Sequence, residues 1–187
     1  MPVIQVHHLE GALDDHTTAD LAHRLTDALI AMEGGANTQG GRAFAWVLFT
    51  PVKLGDWWIG GRRDDQFVVP PGRFLVHVTV PEGYMNAQHK SEVHASINAA
   101  ITAATGTSRE QNAGASALVV IDEVTEGNWG AAGRTISLDS IAGTVGLSKD
   151  SDRFTWVQAY FAAKSRQFAA AGYPSDTGGL LKNQPRR

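Results

Sequence analysis

The chain repeats itself. Shifting it by 72 positions lays Glu10-Gly11 on Glu82-Gly83, Gly34 on Gly106, Val47 on Val119, Gly55 on Gly127, Trp57 on Trp129 and Gly61-Arg62 on Gly133-Arg134. No gap is needed anywhere between Val3 and Arg62. A register held from end to end marks two copies of one supersecondary unit, residues 2–64 and 74–137, that must bury their apolar surface together. Residues 65–73 join them, and Pro70-Pro71-Gly72 favours an extended connector there.

Each copy reads the same way. Apolar, β-branched runs over 3–9 and 75–80 predict buried strands. A Glu-Gly turn follows, then Asp14 or Asn86, both good helix N-caps. Leu21, Leu25, Leu29 and Met32 fall at helical spacing in the first copy, and Val93, Ile97, Ile101 and Ala104 do so in the second. Gly34 and Gly106 stand where a C-terminal cap glycine belongs. Second strands are expected over 44–50 and 117–122, followed by glycine-rich hairpins that carry Trp57 and Trp129.

A strand-helix-strand unit with parallel strands and a right-handed crossover cannot enclose a core alone. Two of them can. The expected fold is α+β: a four-stranded mixed sheet with two helices on one face. Strands this apolar should not leave the other face in water, so further subunits are expected to cover it. A cyclic homotrimer is the simple closed arrangement. Beyond the repeats, residues 150–172 predict one more helix, with Phe154, Val157, Phe161 and Phe168 on a stripe and Trp156 and Tyr160 beside it. Ser151 or Asp150 would cap this helix, and Gly172 with Pro174 would stop it. It is expected to cover core or a subunit seam, with a lid over an active site as the alternative. Residues 173–187 read as a flexible tail.

Several function classes are disfavoured. A net charge of −3 offers no electrostatic footprint for nucleic acid. No apolar run is long enough to span a bilayer, and no secretory leader is visible, so cytoplasm is the default expectation. The absence of cysteine removes thiolate chemistry, and the seven histidines show no metal-ligand spacing. No glycine cluster has the spacing of a phosphate loop, so no cofactor and no metal is expected.

What remains is Pro2. A small residue after Met1 permits removal of the methionine, and the new terminus would be a secondary amine. Such an amine accepts a proton or attacks a carbonyl, which an internal proline nitrogen cannot do. An apolar pocket lowers its pKa from the usual value near 8 toward neutrality, where a general base works best. Phe74 takes the equivalent place in the second copy, so one active site per chain is expected.

The opening Pro2-Val3-Ile4-Gln5-Val6-His7-His8-Leu9-Glu10-Gly11 resembles that of 4-oxalocrotonate tautomerase. The hairpin Gly127-Asn128-Trp129-Gly130-Ala131-Ala132-Gly133-Arg134 is similar to that family's glycine-rich hairpin. Two fused copies resemble the branch of the tautomerase superfamily that includes malonate semialdehyde decarboxylase, the cis-3-chloroacrylic acid dehalogenases and macrophage migration inhibitory factor. The resemblance implies a trimeric β-α-β fold and a small-molecule substrate. It makes Pro2 the catalytic base or acid, and Trp129 and Trp57 aromatic pocket walls.

The family's other functional positions are not kept. Its carboxylate-binding arginines fall on Ala12, Tyr84, Trp46, Leu118, Pro81 and Gly83, and the dehalogenase histidine on Leu29. Arg73, just before the strand expected to pair with the first, and Arg42, before the second strand, are candidate replacements. Arg62 and Arg134 recur in both copies and so read as structural, as does His7 in the opening strand. The expected activity is isomerase chemistry on a small enol, 2-oxo acid or unsaturated acid. The alternatives are a hydratase, dehalogenase or decarboxylase on the same fold, with Asp122, Glu123 or Glu126 activating water, or a non-catalytic oligomeric binding protein.

Overall fold

The two copies build one sheet. The computed structural model describes residues 2–32 and 37–182. The first copy gives β1 (Val3–Leu9), α1 (Asp15–Met32), a short α2 (Gln39–Phe44) and β2 (Trp46–Val52). The second gives β3 (Phe74–Pro81), α3 (Ala87–Ala104), β4 (Ala117–Val124) and the hairpin β5 (Gly130–Ala131) and β6 (Arg134–Thr135). Then come α4 (Leu138–Val145) and α5 (Asp152–Ala170). The strand order is β2-β1-β3-β4. Strands within a copy are parallel, and β1 meets β3 antiparallel, with Val3 opposite Thr79 and His8 opposite Phe74.

The period-2 alternation of each strand decides what lies inside. Ile4, Val6, Val76 and Val78 face one side and are fully buried against Leu21, Leu25 and Leu29 of α1 and Ile97 and Ile101 of α3. The other side keeps Trp46, Leu48 and Leu118 exposed at 56%, 43% and 63%. His7, expected among core groups, sits on this open side with its ring edge-on to His77, 6.2 Å away. Its neighbour His8 is the buried histidine. One step along a strand reverses the face.

The helices start where the caps predict. Thr17 N–H donates to Asp14 Oδ1 at 2.7 Å, and His89 N–H to Asn86 Oδ1 at 2.9 Å. Gly106, at φ 70°, ends the second helix in the left-handed conformation that favours glycine. Gly34 lies outside the described residues. Phe44, expected to open a strand, instead closes α2, whose N-cap Thr38 accepts from Gly41 N–H. β2 therefore begins at Trp46 and runs through Pro51, which is tolerated because β2 is an edge.

The C-terminal part departs most from expectation. Helix α4 was not foreseen. Ser137 caps it, Gly146 ends it at φ 70°, and it buries Leu138, Ile141, Ala142 and Val145. Ser151 caps α5 as expected, and Phe154, Val157 and Phe161 join the buried residues. Residues 173–182 turn back along α5 instead of trailing away: Tyr173 stacks edge-on with Phe168 at 4.7 Å, and Leu181 N–H donates to Glu126 at 3.2 Å. Residues 183–187 lie outside the described set.

Candidate active site

Pro2 immediately precedes β1 and is buried. Its carbonyl accepts from Trp46 N–H at 3.3 Å, which fixes the start of β1 against β2. Around it lie Met32 from the end of α1, Val80 and Pro81 from the end of β3, Tyr84 and Met85 from the turn before α3, and Ile141 from α4. The cavity volume is about 10 Å³, room for one water. Four parts of the chain thus close an apolar hollow on one proline, and Tyr84 supplies the polar side chain in its wall.

Within one chain, none of the expected substrate-binding residues lines that hollow. Arg73 is at the wrong end. The antiparallel register puts Phe74 opposite His8, so Arg73 lies level with Leu9, about 20 Å along the strand from Pro2. There its buried guanidinium donates to the carbonyls of Arg63 and Asp64 at 2.9 and 2.7 Å and pairs with Asp65, pinning the linker. Trp57 also stands at that end, since β2 runs parallel to β1 and Trp57 follows it. Arg42 and Trp129 are at the Pro2 end. Arg42 is committed to Asp27 and Asn37, each at 3.2 Å. Trp129 follows the outer strand β4, and its Nε1 is buried without a hydrogen-bond partner among the described residues.

The three carboxylates considered for water activation are likewise engaged. Asp122 binds His77 at 2.9 Å on the open face of the sheet, and Glu123 binds Lys90 at 2.5 Å. Glu126 accepts from Leu138 N–H and Leu181 N–H at 3.1 and 3.2 Å, so it ties the start of α4 to the returning tail. Burial raises its pKa from the ordinary carboxylate value. Nearby, Glu82 accepts from Lys164 at 2.6 Å and from Tyr160 Oη at 2.7 Å. Burial pushes Glu82 upward, but the bonds from Lys164 and Tyr160 outweigh it and hold the carboxyl below its usual value. Burial and the Glu82 bond push the Tyr160 phenol up to about 12, so it stays a neutral donor.

One cation near the hollow was missed. Arg153, in the first turn of α5, donates to the carbonyl of Met32, and its guanidinium lies over the Tyr84 ring at 5.5 Å. It thereby touches two of the residues that wall Pro2. The sequence signal for Tyr84 was its place just after the Glu-Gly turn. Arg153 had none, because only the docking of α5 brings it there. Among the described residues, no three His, Asp or Glu side chains gather as a metal site would require, and no helix is long and apolar enough to cross a membrane.

Solved structures share this architecture. A fused 4-OT solved as a symmetric trimer is 20% identical, with a TM-score of 0.56 over 75% of this chain and 98% of that one. The chain has the fold of a fused two-unit tautomerase. A member of the cis-3-chloroacrylic acid dehalogenase family, 19% identical, superposes with a TM-score of 0.57 over 72% of this chain and 82% of its own. Pt0534, solved after inactivation by 2-oxo-3-pentynoate, is 18% identical, with a TM-score of 0.57 over 71% and 95%. No family model and no curated protein matches the sequence. In this tautomerase fold, β1 and β3 are the pseudo-equivalent central strands, and only β1 carries a proline at its start.

Proposed function

We propose that this chain is a cofactor-free enzyme of the tautomerase type. Pro2, freed by removal of Met1, moves a proton on a small enol, 2-oxo acid or unsaturated acid. The observation that carries the reading is the seat of Pro2: directly before a central strand, enclosed by Met32, Val80, Pro81, Tyr84, Met85 and Ile141. Apolar walls disfavour a charged ammonium, so a secondary amine held there is available as a base. The hollow has room for about one water, so substrate entry requires its walls to draw back.

The same reading makes the assembly a homotrimer. Trp46, Leu48 and Leu118 on the open sheet face are then covered by neighbouring copies, as apolar exposure of this kind favours. Trp129, at the Pro2 end of the sheet, is the hairpin aromatic that this arrangement makes available to substrate.

The test combines intact mass with a phenylpyruvate enol–keto assay. The expected mass lacks Met1. Pro2→Ala, which keeps a primary amine of different basicity and shape, should lower the rate by about 100-fold. Equal rates for the two proteins, or a retained Met1 in an active protein, would remove Pro2 from the chemistry.

A further inference from the structure

A second cavity, of about 110 Å³, lies beside the Pro2 hollow and shares Met32 with it as a wall. Its apolar side is Leu29, Val93 and Ile97 from α1 and α3. Its polar side is His89, Glu92 and Arg153. The partition between the two cavities is therefore one flexible methionine, flanked by the Tyr84 ring on which Arg153 lies.

Arg153 is half-buried, and among the described residues no carboxylate lies within salt-bridge reach of it. Among the described residues its hydrogen bond goes to the Met32 carbonyl, and most of its five N–H donors have no partner there. The nearest acidic group, Glu92, lies at the rim beyond salt-bridge reach and compensates the half-buried guanidinium only at a distance; an anion bound in the cavity adds direct compensation. His89 adds a neutral donor. Its Nδ1 accepts from Asn86 N–H at 3.4 Å, so its proton is on Nε2. Burial, with the Arg153 charge second, lowers its pKa and keeps it neutral. A guanidinium beside an imidazole N–H suits the two oxygens of a carboxylate. Glu92, exposed at the rim, opposes a second negative charge and so favours monoacids over diacids.

We infer that Arg153, with His89, holds the carboxylate of a small monoacid whose reactive carbon reaches Pro2 past Met32 and Tyr84. This rests on the Pro2 reading for the chemistry but not for the binding. The cation comes from the C-terminal helix, outside the duplicated units, where none of the arginine positions of the resemblance falls.

The test uses two alkynyl ketones on the Met1-processed protein, the acid 2-oxo-3-pentynoate and its neutral methyl-ketone counterpart 3-pentyn-2-one. In each, the Pro2 nitrogen adds to the β-carbon of the alkyne and its proton passes to the α-carbon; no group leaves. Labelling is timed by the mass of the N-terminal peptide. Arg153→Gln should slow labelling by the acid about 30-fold and leave the neutral reagent within about 2-fold. Arg153→Lys should fall between, and Glu92→Gln should speed the acid about 2-fold. An unchanged neutral rate shows that the variant is folded. Equal effects on both reagents, or none on either, would overturn the role of Arg153. If neither reagent labels the wild-type terminus, the Pro2 reading fails by itself. Pyruvate titration then decides the binding claim: a rise in melting temperature that Arg153→Gln abolishes supports it, and a rise that survives overturns it.

Discussion

Glu10-Gly11 and Glu82-Gly83 are one turn written twice, and the two could hardly be housed more differently. Both glycines adopt the left-handed conformation, at φ 80° and 74°. A Cβ on Gly11 would meet nothing within 4 Å, whereas one on Gly83 would lie 2.5 Å from the Tyr160 ring. Glu10 is exposed, while Glu82 is held by Lys164 and Tyr160. Ala12 lies in the open, and its counterpart Tyr84 is buried against Pro2. The duplication makes two equivalent sheet ends; α4 and α5 cover only the one that holds Pro2. The lesson is that symmetry in the sheet is broken by what is appended to it, and that the proposed site exists only on the covered side.

The largest test of that contrast is a pair of substitutions. Gly83→Ala forces a Cβ into both a positive φ and the Tyr160 ring, and should cost about 3 kcal/mol. Gly11→Ala meets the φ penalty alone, about 1 kcal/mol. Urea unfolding of both variants measures the difference, and equal losses would mean that α5 does not seat on the second turn.

Next is Lys164→Met, which strands the Glu82 carboxylate and should cost about 2 kcal/mol near neutral pH. Glu82 has a depressed pKa in the fold, so its contribution is full above the ordinary value of 4.5 and is lost as pH falls through the folded value below that. The gap between wild type and variant should therefore narrow in acid. Glu10→Gln, at the exposed turn, should move stability by less than about 0.5 kcal/mol at any pH.

The smallest effect belongs to Glu126, whose counterpart in the first copy is the exposed Leu54. Its folded pKa is raised by burial, so the fold loses stability as pH rises from 4.5 through the folded value, and at neutral pH the whole penalty applies. Glu126→Gln should raise the melting temperature by about 2 °C at pH 7 and leave it unchanged at pH 4. A gain at both would point to the amide's hydrogen bonds instead of the removed charge.

The strands, α1, α3 and α5 were legible because burial repeats at the period of each element, and Asp14, Asn86 and Ser151 mark the starts. Helix α4 was not, because a run of eight residues with Gly143 inside it has little helical preference until Ile141 and Val145 find a surface. Arg73 was misplaced for a geometric reason. Adjacency of β1 and β3 was foreseen, but their opposite directions send the start of one to the end of the other. Arg153 was invisible, since a charged residue on the flank of an amphipathic stripe is ordinary in any surface helix.

From its letters alone, this chain was bound to form two βαβ copies around one sheet, with a proline at the head of one central strand, because periodicity and caps are local properties. Which end of that sheet would be closed, and which side chains would meet Pro2 there, came from α4 and α5 folding over the second turn. Contacts between residues so far apart in the chain are set by packing and strand direction, and neither is written in any short stretch of sequence.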